Sequence, residues 1–251
     1  MAKNLILKVS EKGAKKTANA LKSVGSAVKD VGVKAGIATA GIGVLSAKLA
    51  GDFQKSLLEV STLTGDFSDV ALKKMSRELR QVASDSGLAL GSISKAKYDI
   101  VSAGFSSAAE SAEVLRVSAQ LAVGGVTSAA EAADLLTTSL NAMGLDFTST
   151  QRVADELFTT VRLGKTTMGE LSATLGQVLP FANAAGLSLS GVGAAMATLT
   201  ASGISTAQSA TALRSAIQSL QSPTDQSKTL MRDMGIEVKR FDDGGIDLIN
   251  T

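Results

Sequence analysis

The chain has 251 residues, enough to bury a core, and 45% of them are apolar although only 3% are aromatic. It contains no cysteine and no histidine, which excludes disulfides, thiolate chemistry, imidazole bases and the usual zinc sites. The net charge of +2 hides an asymmetry, because residues 1–50 carry a net charge of +7 and the remainder carries −5.

Residues 1–51 are predicted to form a basic, Gly/Ala-rich N-terminal helical arm, and residues 4–9 also fit a short strand. Each glycine inside a helix costs about 1 kcal/mol relative to alanine, so the arm is expected to order only against a partner or another copy. A flexible lead-in is the alternative. The longest uncharged apolar run, residues 35–47, would span about 20 Å as a helix, which is too short for a hydrocarbon layer of about 30 Å.

Between residues 75 and 234, short Ala/Leu-rich stretches each end at a glycine, and a Ser or Thr opens most of the stretches that follow. This pattern predicts short helices joined by tight turns. The predicted helix ends are Gly87, Gly104, Gly125, Gly144, Gly164, Gly186 and Gly203.

Five Ser/Thr-x-x-Glu/Gln motifs match the capping box, in which the two side chains each satisfy an unpaired backbone amide group. The glutamate versions begin at Ser107, Ser128 and Thr167, and the glutamine versions begin at Thr148 and Ser205. They predict five helix starts.

Apolar residues recur at intervals of three and four, which places one apolar stripe on each of three predicted helices. The predicted fold class is all-α: a multi-helix bundle or stacked helical hairpins of short, Gly-terminated helices, in a core domain at residues 52–235. The stripes are Ala108, Ala112, Leu115, Ala119 and Ala122; Ala129, Ala133, Leu136, Leu140 and Met143; and Ala210, Leu213, Ile217 and Leu220.

The two prolines and the C-terminal residues interrupt this helical pattern. Pro180 is expected to kink or end a helix over residues 167–185 near Leu179. Ser222 and Pro223 predict an N-cap and the first turn of a last short helix. Residues 236–251 alternate around a turn, which predicts a short C-terminal β-hairpin at the start of a truncated continuation.

No arrangement of residues indicates catalysis, and the chain is predicted to be no enzyme, with no catalytic, cofactor-binding or metal-binding residues and no small-molecule substrate. Ser94–Lys95 and Ser227–Lys228 are adjacent pairs, and adjacent residues on a helix do not face each other. Residues 164–167 (Gly-Lys-Thr-Thr) match only the tail of a phosphate-binding loop, without its upstream glycine, and so favour a helix cap.

The positions of the charged residues also favour solvent-exposed surfaces over catalytic or binding sites. Asp155 and Glu156 fit an exposed helical partner of Arg152, and Asp242 and Asp243 fit a turn. The lysines of the arm have no arginine or aromatic residue among them, so a solvated face is favoured over non-specific contact with nucleic acid. These lysines are Lys12, Lys15, Lys16, Lys22, Lys29 and Lys34.

Four stretches of the body carry a family likeness in their order and spacing. They are residues 53–65 (FQKSLLEVSTLTG), residues 100–104 (IVSAG) with Leu121 and Ala122, residues 179–186 (LPFANAAG), and residues 197–204 (ATLTASGI) through 211–214 (TALR). In this order they resemble the N-terminal core region of phage tail tape-measure proteins, the minor tail proteins of long-tailed phages and prophages.

The resemblance implies a structural phage tail assembly protein that organises tail tube polymerisation and sets tail length, with a role in genome ejection. The implied partners are further copies of the chain, the tail tube protein, tail assembly chaperones and tail-tip proteins, with transient contact with DNA or the host membrane. The implied location is the virion, in the lumen of the tail tube, and the host cytoplasm during assembly.

Tape-measure proteins are usually far longer than 251 residues, so the chain is expected to be the end that nucleates or anchors the ruler. The alternative class is a membrane-active helical protein, either a pore former or a secreted effector. It is favoured by residues 32–47 together with the Ala/Gly-rich amphipathic helices.

Overall fold

The structure, a computed structural model, describes residues 40–234, except for the side chains of residues 40–48 and Met231. Eleven α-helices and a short 3-10 helix (Phe147–Ser149) lie in this part of the chain. The helices are α1 (Ala40–Thr64), α2 (Asp69–Ser86), α3 (Leu90–Ser102), α4 (Ala108–Gly125), α5 (Ala129–Ala142), α6 (Thr150–Leu163), α7 (Met168–Leu175), α8 (Leu179–Ala184), α9 (Leu189–Ala201), α10 (Thr206–Gln221) and α11 (Asp225–Asp233).

The described residues contain helices and turns and no β-strand, which confirms the predicted all-α class for residues 40–234. The β-hairpin predicted at residues 236–251 lies outside the described residues, as do the strand at residues 4–9 and most of the basic arm. The chain divides into two units between Leu58 and Glu59, and the second unit contains α2 to α11. The domain boundary predicted at residue 52 lies within α1 and stays a prediction.

Helix α5 lies at the centre of the second unit, where it packs against α3, α4, α6, α7 and α8. Nine of its 14 residues are buried, among them Leu135, Leu136 and Leu140. Fully burying a leucine contributes roughly 1.5–3 kcal/mol, and the buried alanines in the first turns of α5 let the neighbouring helices approach closely. The stripe predicted on α5 is therefore a core face, although Met143 at its end is only half-buried.

Three buried hydroxyl groups of α4 and α5 bond within their own helices. Ser118 Oγ donates to the Val114 carbonyl at 2.7 Å, Thr137 Oγ1 to Ala133 at 2.8 Å, and Ser139 Oγ to Leu135 at 2.7 Å. Each pair is four residues apart, a common way for Ser and Thr to satisfy a hydroxyl inside a helix. These three polar residues therefore enter the aromatic-poor core without a partner on another helix.

Three of the five predicted helix starts are complete capping boxes. The side chains of Ser107, Ser128 and Thr167 each accept from a glutamate amide three residues on, and that glutamate accepts from the cap residue. At Ser205 only half of the motif forms, because Gln208 N donates to the serine hydroxyl but the glutamine side chain does not return to the backbone.

The helix start predicted at Thr148 is wrong. Asp146 accepts from Thr148 N at 3.0 Å and caps the 3-10 helix instead, so α6 begins only at Thr150, without a side-chain cap. An aspartate is as good an N-cap as serine, and here it lies two residues earlier in the chain.

The seven predicted glycines all lie at helix ends, but two of them differ from the rest in conformation. The other five adopt a left-handed backbone. Gly125 is the last residue of α4, and Val126 takes the left-handed conformation in its place, with φ 52°. Gly164 is extended, with φ −92° and ψ 173°, and its surroundings leave no room for a side chain.

Both proline predictions need correction. The helix before Pro180 ends at Leu175, and α8 begins at Leu179 with the proline in its first turn, where a missing amide hydrogen costs nothing. Ser222 follows the end of α10, and the N-cap of α11 is Thr224, two residues later than predicted.

Candidate functional site

The two Ser–Lys pairs do not form nucleophile–base pairs. On α3, Ser94 is buried and donates to the Leu90 carbonyl, while the exposed Lys95 lies 3.7 Å from Asp99. On α11, Lys228 Nζ bonds Asp225 at 3.1 Å. Each lysine is turned toward a carboxylate of its own helix.

The two acidic residues on α6 differ in burial, because Asp155 is exposed whereas Glu156 is half-buried and its Oε2 has no hydrogen-bond partner. Arg152 bonds Glu156 at 3.0 Å, and Gln151 donates to Asp155 at 3.0 Å. Both contacts join residues four apart, as the sequence predicts for Arg152. Asp242 and Asp243 lie outside the described residues.

Residues 164–167, which match the tail of a phosphate-binding loop, connect the end of α6 to the start of α7 and contact the ends of two further helices. Lys165 N donates to Thr200 Oγ1 at the end of α9, at 3.2 Å. Thr166 and Thr206, the first residue of α10, lie hydroxyl to hydroxyl at 2.8 Å. We call Thr166, Glu170, Thr200 and Thr206 the threonine clasp.

Glu170 is the centre of the threonine clasp. One carboxylate oxygen accepts from Thr206 Oγ1 at 2.9 Å, from Thr166 Oγ1 at 3.1 Å and from Thr167 N at 3.2 Å. These hydrogen bonds, above all the one from Thr206, hold the pKa of Glu170 below its ordinary value. The glutamate of the α7 capping box thus also attaches α10.

Helices α6 and α9 approach closely beside the clasp. A β-carbon on Gly164 would lie 2.6 Å from Thr200 Oγ1 and 3.0 Å from the Ala197 Cα. A β-carbon on Gly193 would collide with Thr160 Oγ1. Two glycines therefore set the spacing of this helix pair.

A lysine lies in the apolar face of α3. Its side chain is only 5% exposed, and Ile93, Ile100 and Val101 are buried on the same helix. Lys97 Nζ bonds Glu78 Oε1 of α2 at 2.7 Å and Ser111 Oγ of α4 at 2.8 Å. One ammonium group thereby connects three helices.

The Lys97 cleft is an open cavity of about 390 Å³ around this lysine. Burial lowers the pKa of Lys97, and the opposing charge of Glu78 raises it only in part. Such a pair contributes little net stability, because both ions lose their hydration. The cleft is lined by Val60, Thr64, Asp66, Ser68, Val70, Ala71, Lys74, Met75, Glu78, Lys97, Val101, Ser106, Ala108 and Ser111.

A second cleft of about 520 Å³ contains Asp99 of α3 and Asp134 of α5. Burial raises the pKa of Asp99, and the charge of Asp134 adds to this effect. Asp134 accepts from Ser172 Oγ of α7 at 2.6 Å, and Asn141 donates to the Ala103 carbonyl at 2.9 Å. Two polar groups of this cleft, Asp134 and Asn141, therefore bond to other helices or their ends.

Sequence reasoning missed Lys97 and the threonine clasp, because their partners lie 14 to 40 residues away. One signal for Lys97 was present: it falls four residues after Ile93 and three before Ile100, inside an apolar stripe. Within residues 40–234, no group of three or more acidic side chains is arranged to hold a metal ion. None of the helices in that range is both long and apolar enough to cross a membrane.

Comparison with known proteins gives two matches. Residues 73–250 match the family model described as phage-related minor tail protein. The chain is also 32% identical over 184 residues to the probable tape measure protein of Clostridium phage phiCD119. The aligned region covers 72% of this chain and 18% of that protein. No solved structure matches. The matched range contains most of α2 and all of α3 to α11, and the chain belongs to the family of phage-related minor tail proteins.

Proposed function

We propose that the chain is the helical core of a tape-measure protein, which organises polymerisation of the tail tube and sets tail length. The family match over residues 73–250 carries this proposal, and the name of the Clostridium phage relative supports it. The chain spans 18% of that relative. A single helix of 251 residues would reach only about 380 Å. We therefore assign this chain a role in anchoring or nucleating the tail tube. We assign the setting of tail length to a full-length tape-measure protein that contains such a core.

The surface of α7 to α10 supports a role in assembly. Residues 171–213 contain no Asp, Glu, Lys or Arg, although many of their side chains are exposed, such as Pro180, Ala194, Thr198 and Ala212. Globular domains average about 25% charged residues, and the centre of an interface is depleted of them. We propose that this charge-free segment contacts other tail components or further copies of the chain.

The proposed partners are further copies of the chain, the tail tube protein, tail assembly chaperones and tail-tip proteins. The proposed location is the tail tube lumen of the virion, reached by assembly in the host cytoplasm. A role in genome ejection, with transient contact with DNA or the host membrane, completes the proposal. No substrate is turned over, in keeping with a structural tail family.

Co-expression with the cognate tail tube protein and chaperones tests this function. Size-exclusion chromatography with light scattering is expected to show self-association and at least one stable complex with a tail component. A monomer that binds none of these proteins would contradict the proposal. Leakage of liposomes at low protein concentration would instead support the membrane-active class.

A further inference from the structure

Helix α2 is loosely attached compared with the helices that it covers. Leu79 is its only buried side chain, whereas α3 and α4, against which it packs, bury six and eight residues. Segments with few buried apolar contacts open at lower free energy than the core, usually as one cooperative unit. The low burial of α2 therefore predicts that this helix detaches at a lower free energy than the helices of the core.

A glycine with a left-handed backbone lies on each side of α2. Gly65 and Gly87 have φ angles of 73° and 70°. A β-carbon at either position would have no neighbouring atom within 4 Å, so both glycines lie in open space. These two glycines are therefore the places where the backbone can bend if α2 moves.

The Glu78–Lys97 contact connects α2 to the helices beneath it. Lys97 belongs to α3 and its second partner, Ser111, belongs to α4, so both remain in place when α2 moves away. Glu78 and Lys74 leave with α2. With α2 moved away, the groove presents one ammonium group beside apolar side chains such as Val60 and Val101, and this charge complements an anion that lies next to an apolar group.

Helix α2 itself shows which chemistry fits the groove. It presents Glu78 to the ammonium group and buries the adjacent Leu79. An amphipathic helix from a partner with the same pair of residues would satisfy Lys97 in the same way, because the recognition needs one carboxylate next to one apolar side chain.

We propose that α2 is a lid that opens as one unit before the helices beneath it, and that the uncovered groove binds a carboxylate-bearing amphipathic helix of a partner at Lys97. This lid goes beyond the assembly role, since it names one site on the protein and the chemistry of its occupant.

Hydrogen exchange of the full chain, measured by mass spectrometry, tests the opening. The amides of α2 are expected to exchange at least about tenfold faster than those of α5. Glu78→Gln is expected to accelerate amide exchange in α2 by about another tenfold and to leave the exchange of α5 unchanged. The control is Glu113→Gln, which removes an exposed pair with Arg116 on α4. Exchange of α2 and α5 at one common rate would overturn the proposal.

A labelled peptide of residues 68–87, titrated against the full chain with Leu79→Ala, tests the occupant by fluorescence anisotropy. Leu79→Ala weakens the chain's own lid, and circular dichroism checks its fold; if it unfolds, the Glu78→Gln chain replaces it. The peptide is expected to bind, and a peptide with Glu78→Gln is expected to bind about tenfold more weakly. Equal binding of both peptides, or no binding, would overturn the proposal.

Discussion

Gly164 lies so close to Thr200 that a β-carbon at Gly164 would stand 2.6 Å from the threonine hydroxyl oxygen. That hydroxyl also accepts from the backbone of Lys165 and donates to the Met196 carbonyl. The glycine therefore both sets the distance between α6 and α9 and gives the threonine clasp its geometry.

Gly164→Ala is expected to lower the free energy of unfolding by about 1–3 kcal/mol, the usual cost of overpacking. The methyl group must displace Thr200 or separate the two helices. Chemical denaturation measures the effect. Gly91→Ala is the control: this exposed glycine of α3 has no neighbouring atom within 4 Å, and the change should be neutral or stabilising by up to about 1 kcal/mol. Equal effects at the two sites would contradict the packing argument.

Val126→Gly is expected to stabilise the protein by about 1 kcal/mol. A left-handed backbone costs a residue with a β-carbon about 1–2 kcal/mol, and glycine avoids this strain. Val126 is 93% exposed, so little buried surface is lost. Thermal denaturation should show a higher Tm. The control is Val123→Gly, inside α4, which should lower the stability by about 1 kcal/mol. If Val126→Gly also lowered the stability, the backbone strain at Val126 would be refuted.

Glu170→Gln is expected to lower stability at neutral pH and to have little effect in acid. The pKa of Glu170 is lowered in the folded protein. Its negative charge therefore stabilises the fold at pH values above the ordinary glutamate pKa of about 4.3. That stability is lost as the pH falls through the lowered pKa. The difference between wild type and variant should thus shrink below about pH 4. Denaturation midpoints across pH 2–7 measure it.

Thr206→Val supplies a separate check on Glu170. It removes the hydroxyl that contributes most to the lowered pKa of this carboxyl group. An NMR titration of the Glu170 side chain should therefore show its pKa move toward the ordinary value. An unchanged titration curve would mean that the clasp does not hold the carboxylate.

Ala212→Glu is expected to weaken assembly about tenfold or more without unfolding the chain. Ala212 is exposed on α10, within the charge-free residues 171–213, and a charge buried at an interface without a partner is costly. Light scattering and binding to tail components measure the loss. Ala109→Glu, on the exposed start of α4, is the control for added charge. Assembly that is equally sensitive at both sites would place the interface elsewhere.

The sequence by itself determined the local features of this protein. The starts at Ser107, Ser128 and Thr167 and the ends at glycine follow from groups within one helical turn, so local chemistry decides them. The starts expected at Thr148 and Ser222 failed because Asp146 and Thr224, close neighbours in the chain, compete as caps. The family likeness could also be read from the order of short motifs, and the match over residues 73–250 confirms it.

Only the tertiary structure decided which side chains meet. Lys97 contacts Glu78 across 19 residues, and Thr206 contacts Glu170 across 36. No periodic pattern specifies such pairs, because periodicity says which face of a helix is apolar but not which helix covers it. The burial of Lys97 and the hydrogen bonds of Glu170 depend on which helices pack together. The proposed lid and the threonine clasp depend on the same packing.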